Sequence, residues 1–219
     1  MNGQGGAKPM EKVYAGIAAS AVVALLGASA AYVYLSRGSD DALSACRGGQ
    51  TAGTIGGPFQ LVNGQGQTVT DADVLTKPSL VYFGYTFCPD VCPLDNARNA
   101  EAVDILEERG IDATPVFISI DPERDTPEVM GEMAANLHPK MIGLTGSPEQ
   151  VKAAAQTYKV YFRKQASEDE FYLMDHSTFT YLMLPGVGFA DFFKREVTAD
   201  EMADRVSCFV DAAQSLAQN

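Results

Sequence analysis

The sequence predicts an α/β domain on a mixed sheet, carried behind an N-terminal membrane-spanning helix. Three observations predict it. Short apolar stretches alternate with helical ones from Ser79 to Tyr158, and an antiparallel hairpin and a last helix follow. An uncharged apolar run, Val13 to Leu35, precedes them. A strand-like segment from Ser79 to Phe87 ends in Cys88 and Cys92, a dithiol delivered to the mouth of the next helix.

At about 1.5 Å per residue, residues 13–35 are long enough to cross a hydrocarbon core roughly 30 Å thick. Tyr14, Tyr32 and Tyr34 stand near its ends, where aromatic rings favour the interface. Lys8 and Lys12 precede the run, while Arg37 is soon followed by Asp40 and Asp41. That bias makes residues 1–12 a cytoplasmic tail and 13–35 a single-pass anchor. A cleaved signal peptide is the alternative, because Ala28-Ser29-Ala30 fits a small-residue cleavage site, although the apolar run continues past it. Residues 36–55, rich in Ser, Gly, Ala and Asp, read as a tether, and 56–219 as the folded domain. The expected location is the cytoplasmic membrane with the domain in the periplasm, or the mitochondrial intermembrane space if the chain is eukaryotic.

An apolar content of 46% suits a packed core. The net charge is −12, and all of the acidic excess lies beyond Arg37. Such a surface repels phosphate backbones, which excludes nucleic acid as a partner. Four cysteines in an oxidising compartment do not remain casual free thiols.

Phe59–Val62 and Gln67–Thr70 flank Asn63-Gly64-Gln65-Gly66, an N-terminal β-hairpin. After the dithiol, Leu94–Arg109 reads as a helix and Thr114–Ile120 as a strand. Thr126 caps a helix opening at Pro127 and running to about Leu137. Met141–Leu144 is a strand, and Ser147 with Pro148 opens a helix to about Tyr158. Val160–Phe162 and Phe171–Met174 read as strands, and Thr178–Leu184 pairs with Gly188–Phe193 across Pro185-Gly186. Thr198 to Glu201 is a capping box for the last helix. A dithiol after the central strand of such a sheet points to the thioredoxin-like architecture.

Thiols at a helix N-terminus meet unpaired N–H groups, which favour the thiolate. A thiolate is both the nucleophile of disulfide exchange and a soft metal ligand. The C-x3-C spacing permits a redox dithiol, a metal site or a structural disulfide, and spacing alone does not choose. If both cysteines are helical, four residues advance about 400° and their sulfurs share one face. Of the two histidines, His138 precedes Pro139 at a helix end, where an imidazole ordinarily meets the last carbonyls. His176, between two expected strands, is either a histidine bonded at a strand end or a third ligand. Two thiolates and an imidazole would suit Cu(I) and tolerate Cu(II), with Asp175 or Ser177 orienting the ring.

Three stretches now converge on a known family. Tyr85-Thr86-Phe87-Cys88-Pro89-Asp90-Val91-Cys92-Pro93, Asp121-Pro122-Glu123-Arg124-Asp125-Thr126-Pro127 and Tyr172-Leu173-Met174-Asp175-His176-Ser177-Thr178-Phe179 resemble motifs of the Sco/SenC proteins. The resemblance runs from about Gly56 to Val210. It implies a thioredoxin-fold, membrane-tethered copper chaperone with Cys88, Cys92 and His176 as copper ligands. It further implies an upstream copper donor and, as target, the CuA centre of cytochrome c oxidase subunit II. A thiol–disulfide reductase that keeps the target's cysteines reduced, with Cys88 and Cys92 as its redox pair, is the rival reading. A peroxidase is a third. The Asp121–Pro127 loop reads first as a turn and helix cap, which accounts for Asp125, Thr126 and Pro127; the alternative is a partner-facing loop on which Arg124 supplies positive charge near the thiolates.

Cys208 falls outside the last helix's apolar stripe of Met202, Val206, Phe209 and Val210. With the dithiol set aside, Cys46 is its remaining partner, and a Cys46–Cys208 disulfide is expected.

Overall fold

Every residue of the strand Ser79–Gly84 is buried, as an unbroken apolar run requires of a strand covered on both faces. The computed structural model describes Tyr14 and residues 20–32, 43–47, 55–166 and 171–217. The chain divides into two compact units, Met1–Ser44 and Ala45–Asn219.

In the second unit the strands are β1 (Gln60–Asn63), β2 (Thr68–Thr70), β3 (Ser79–Gly84), β4 (Thr114–Ser119), β5 (Ile142–Thr145), β6 (Phe162–Lys164), β7 (Met174–His176), β8 (Thr180–Leu184) and β9 (Gly188–Phe193). The helices are α1 (Asp71–Val74), α2 (Val91–Glu108), α3 (Pro127–Leu137), α4 (Pro148–Thr157) and α5 (Ala199–Ala217). Seven strands form one mixed sheet in the order β2-β1-β5-β4-β3-β8-β9, and β6 and β7 form a separate two-stranded ribbon. β3 runs parallel to β4 and antiparallel to β8, so the dithiol follows a central strand. This is the expected α/β, thioredoxin-like arrangement with an N-terminal hairpin.

Local chemistry accounts for most boundaries. In the β1–β2 turn Asn63 Oδ1 accepts the N–H groups of Gln65 and Gln67, and Gly66 takes a φ of 75° that favours glycine. Thr126 Oγ1 accepts from Val129 N to start α3 behind Pro127. Ser147 and Gln150 form a capping box on α4, and Thr198 and Glu201 bond reciprocally at the start of α5. In the core the Phe83 ring packs 5.1 Å from Tyr158 and 6.3 Å from Tyr181. Burying each such side chain is worth about 1.5–3 kcal/mol.

α2 lies along α5. Cys208, exposed on α5, is bonded to buried Cys46, with Cα atoms 5.7 Å apart, so the expected disulfide is present.

Three elements differ from the sequence reading in ways that matter. α2 begins at Val91 rather than Leu94, which puts Cys92 in its first turn and leaves Cys88 in the loop before it. The strands expected at Val160–Phe162 and Phe171–Met174 are displaced to Phe162–Lys164 and Met174–His176, and they leave the main sheet. Their aromatic residues drew the expectation, yet Tyr161 and Phe171 are exposed, and so short a ribbon carries little periodicity.

Tyr14 and residues 20–32 of the expected anchor are helical and exposed. Among the described residues no helix is long and apolar enough to cross a membrane. Val13 and residues 15–19 and 33–35 lie outside the described residues, as does most of the expected tether.

Candidate metal centre

β3 ends at Gly84, and the chain turns through residues 85–90 into α2. Cys88 N donates to the Tyr85 carbonyl, closing that turn. The cap residue of α2, Asp90, makes no side-chain capping bond. Instead Cys88 Sγ, 3.4 Å away, accepts the N–H of Cys92. The two sulfurs therefore converge because one stands at the helix mouth and the other in its first turn. They do not share a helix face as consecutive-turn residues.

His176 enters from the ribbon. Its Nε2 lies 3.5 Å from Cys92 Sγ. Its Nδ1 is 2.9 Å from the Ser177 carbonyl; donation there leaves the Nε2 lone pair directed at the sulfur. The rings of Tyr82 and Tyr85 meet the imidazole edge-on at 6.2 and 5.8 Å. The donor atoms of Cys88, Cys92 and His176 all lie within 4.8 Å of one another.

The three groups differ electrostatically. Burial pushes the Cys88 thiol up, but the N–H groups of Asp90, Cys92 and Val91 outweigh it and hold its pKa below the ordinary thiol value. Burial dominates at Cys92 and raises its pKa strongly, with the neighbouring Cys88 adding to the effect. Burial also lowers the pKa of His176, which favours the neutral ring a metal needs. Two sulfurs and one neutral imidazole form a soft, low-coordinate set suited to Cu(I). The thiols also open on a cavity of about 280 Å³ whose lining includes Asn96, Met133 and Leu137.

Asp175 does not orient the imidazole. Its carboxylate takes Arg163 Nη2 at 2.9 Å and Gln165 Nε2 at 2.6 Å, because neighbours in a strand point to opposite faces. Ser177 orients the ring through its carbonyl, while its hydroxyl accepts from Tyr161 N. Arg124 is not a free cation at the rim. It is mostly buried, bonded to Asp121 Oδ2 at 2.5 Å and stacked 3.6 Å over the Tyr172 ring. His138 stays apart from the centre, its Nδ1 accepting from Lys140 N and its Nε2 3.1 Å from Asp104 Oδ1.

Some neighbours escaped the sequence reading. The Tyr82 hydroxyl lies 3.0 Å from Asp95 Oδ2 and 3.9 Å from Cys92 Sγ. Buried Asp95 has Arg98 and Arg195 each 3.6 Å away. Its place three residues after Cys92 on one helix was a readable signal; Tyr82 offered none. Asp125 is fully buried and bonded to Thr86 and Ser119. Burial pushes its pKa up against those bonds.

The SCO1/SenC family model matches residues 47–211 of this chain. Protein SenC of Rhodobacter capsulatus is 54% identical over 200 residues, 90% of either chain. The crystal structure of Arabidopsis thaliana ScoI with copper bound is 43% identical, with a TM-score of 0.67 over 74% of this chain and 99% of that one. BsSco, described as a Sco-family cytochrome c oxidase assembly protein with a disulfide switch, is 25% identical, with a TM-score of 0.59 over 73% of this chain and 96% of that one.

Proposed function

The chain belongs to the SCO1/SenC family, and on that premise we propose that it is a membrane-anchored copper chaperone delivering copper to the CuA centre of cytochrome c oxidase subunit II. The observation that carries the reading is the convergence of Cys88, Cys92 and His176 within 4.8 Å. A Sco relative is known with copper bound, and another is described as an oxidase assembly protein. Copper here is cargo. Half-buried Cys88 offers the more accessible sulfur, while buried Cys92 and half-buried His176 would complete the donor set. Two acceptor thiolates would then displace Cys88 first and Cys92 second, each exchange trading one copper–sulfur bond for another, and the neutral His176 imidazole would let go of the ion as the second bond forms.

Residues 1–12 form the cytoplasmic tail, 13–35 the anchor and 36–55 the tether of this reading. The domain from 56 to 219 faces the periplasm, or the intermembrane space in a mitochondrion, and receives copper from an upstream donor.

The split between the two thiols favours one second reading, a thiol–disulfide reductase. A low-pKa Cys88 would attack a disulfide and a buried Cys92 would resolve the mixed intermediate. That chemistry does not need His176.

Anaerobic Cu(I) titration of the full chain in detergent, with Cys88→Ser and His176→Ala alongside, separates the two. One copper per chain, weakened by both substitutions, supports the chaperone. A His176→Ala variant that binds like wild type, while Cys88→Ser does not, puts the reductase ahead.

A further inference from the structure

The three donors meet only if two separate segments meet. One is the loop through Thr86 and Cys88; the other is the β6–β7 ribbon, which ends at His176 and, among the described residues, has no strand partner in the main sheet. Behind the ribbon lies a cavity of about 500 Å³, lined among others by Ile120, Val151, Ala155, Phe162 and Met174. With open space at its back, the ribbon is not held at its distance from the dithiol by packing alone.

The β4–α3 loop, residues 120–126, reaches both segments. Towards the dithiol, the Asp125 carboxylate accepts Thr86 Oγ1 at 2.5 Å, Thr86 N at 3.2 Å and Ser119 Oγ at 2.6 Å. Towards the ribbon, the Tyr172 hydroxyl donates to Asp121 Oδ1 at 2.7 Å, and Arg124 Nη1 donates to the Tyr172 carbonyl at 3.0 Å. The Tyr172 ring lies between two cations, the Arg124 guanidinium and the Lys164 ammonium, each 3.6 Å from its centroid. Arg124 Nε bonds Asp121 Oδ2 at 2.5 Å and so closes the loop on itself.

We propose that this loop is a yoke: Asp125 holds the cysteine segment through Thr86, and Asp121 with Arg124 holds the histidine ribbon through Tyr172. These are positioning residues that set the distance between the dithiol and His176. The inference rests on the reading of Cys88, Cys92 and His176 as a copper site. The yoke acts from outside the donor set, on the segments that carry it.

The test uses the full chain in detergent, with Arg124→Gln, Tyr172→Phe, His176→Ala and the double variant Arg124→Gln/His176→Ala. Circular dichroism checks folding, and Tyr172→Phe, which keeps the stacked ring and loses only the hydroxyl bond, serves if Arg124→Gln does not fold. Cu(I) affinity is read by competition with a chromophoric chelator, and nitrogen hyperfine structure in the Cu(II) spectrum reports the imidazole. Arg124→Gln is expected to weaken Cu(I) about 10–100-fold, with loss of the nitrogen signal, and Tyr172→Phe to a smaller degree. In the His176→Ala background the Arg124→Gln loss should largely vanish, since the yoke acts through the histidine. Unchanged affinity and spectrum in folded variants would overturn the yoke, as would losses that add in full to those of His176→Ala. Failure of wild type to bind copper, or wild-type affinity in His176→Ala, brings down the copper-site reading and the yoke with it.

Discussion

A Cβ placed on Gly84 falls 2.9 Å from the sulfur of Cys92, and also meets Tyr82 Cε1 at 2.9 Å and Phe117 Cε2 at 3.0 Å. The last residue of the central strand thus lies directly under Cys92, and its missing side chain makes room for the sulfur. Gly84→Ala forces the sulfur or two buried rings to move. It should cost roughly 1–3 kcal/mol of stability and weaken Cu(I) binding in the same preparation. Denaturant unfolding and copper titration check the pair; wild-type values in both would show that the site relaxes freely.

The two thiols should react unequally. Cys88 has its pKa held below the ordinary thiol value, whereas that of Cys92 is raised. At neutral pH, iodoacetamide should therefore label Cys88 first and leave Cys92 almost untouched, because only thiolate reacts. Peptide mapping of the briefly alkylated, metal-free chain gives the order. Equal or reversed labelling contradicts the charge arrangement described for the centre.

Copper affinity should rise with pH through the neutral range. Both thiol protons must be absent from the bound site, that of Cys92 being the more firmly held, and each proton released on binding gives about one log unit of affinity per pH unit. His176, its pKa lowered from 6.5, is already neutral there and adds to the slope only in more acid solution. Competition titrations from pH 6.5 to 8 measure it, and a flat profile would mean that the buried thiol is already ionised.

The Cys46–Cys208 bond closes a sequence separation of 162 residues. Chain entropy alone assigns such a loop about 5 kcal/mol, with measured losses for native disulfides nearer 2–5. Replacing both cysteines with serine should lower the unfolding midpoint accordingly while copper stoichiometry stays at wild type. An unchanged midpoint would show that the bond contributes nothing to stability.

The legible parts of this molecule were those with local chemistry. Thr126 before Pro127, Ser147 before Pro148 and the Asn63 turn write their geometry within four residues, and each forms as read. Cys88, Cys92 and His176 were nameable from their motifs, and Cys208 from its place off the apolar stripe. What was not legible depends on partners distant in the chain. Asp175 looked like the orienting group because it adjoins His176, yet the strand turns it towards Arg163. Arg124 looked like a surface cation because nothing in the sequence says that Tyr172 lies over it. The ribbon misled for the opposite reason: its aromatic residues are exposed, so the pattern that marks buried strands marked the wrong residues.

The bond between Cys46 and α5 also bears on mechanics. Tension arriving from the N-terminal side need not run through β1 and β2, the hairpin at one margin of the sheet, which would unzip one pair at a time. It crosses the disulfide into α5 and is shared with α2 alongside. The hairpin lies inside the loop that the disulfide closes, so load taken up at Cys46 has a covalent path that bypasses it.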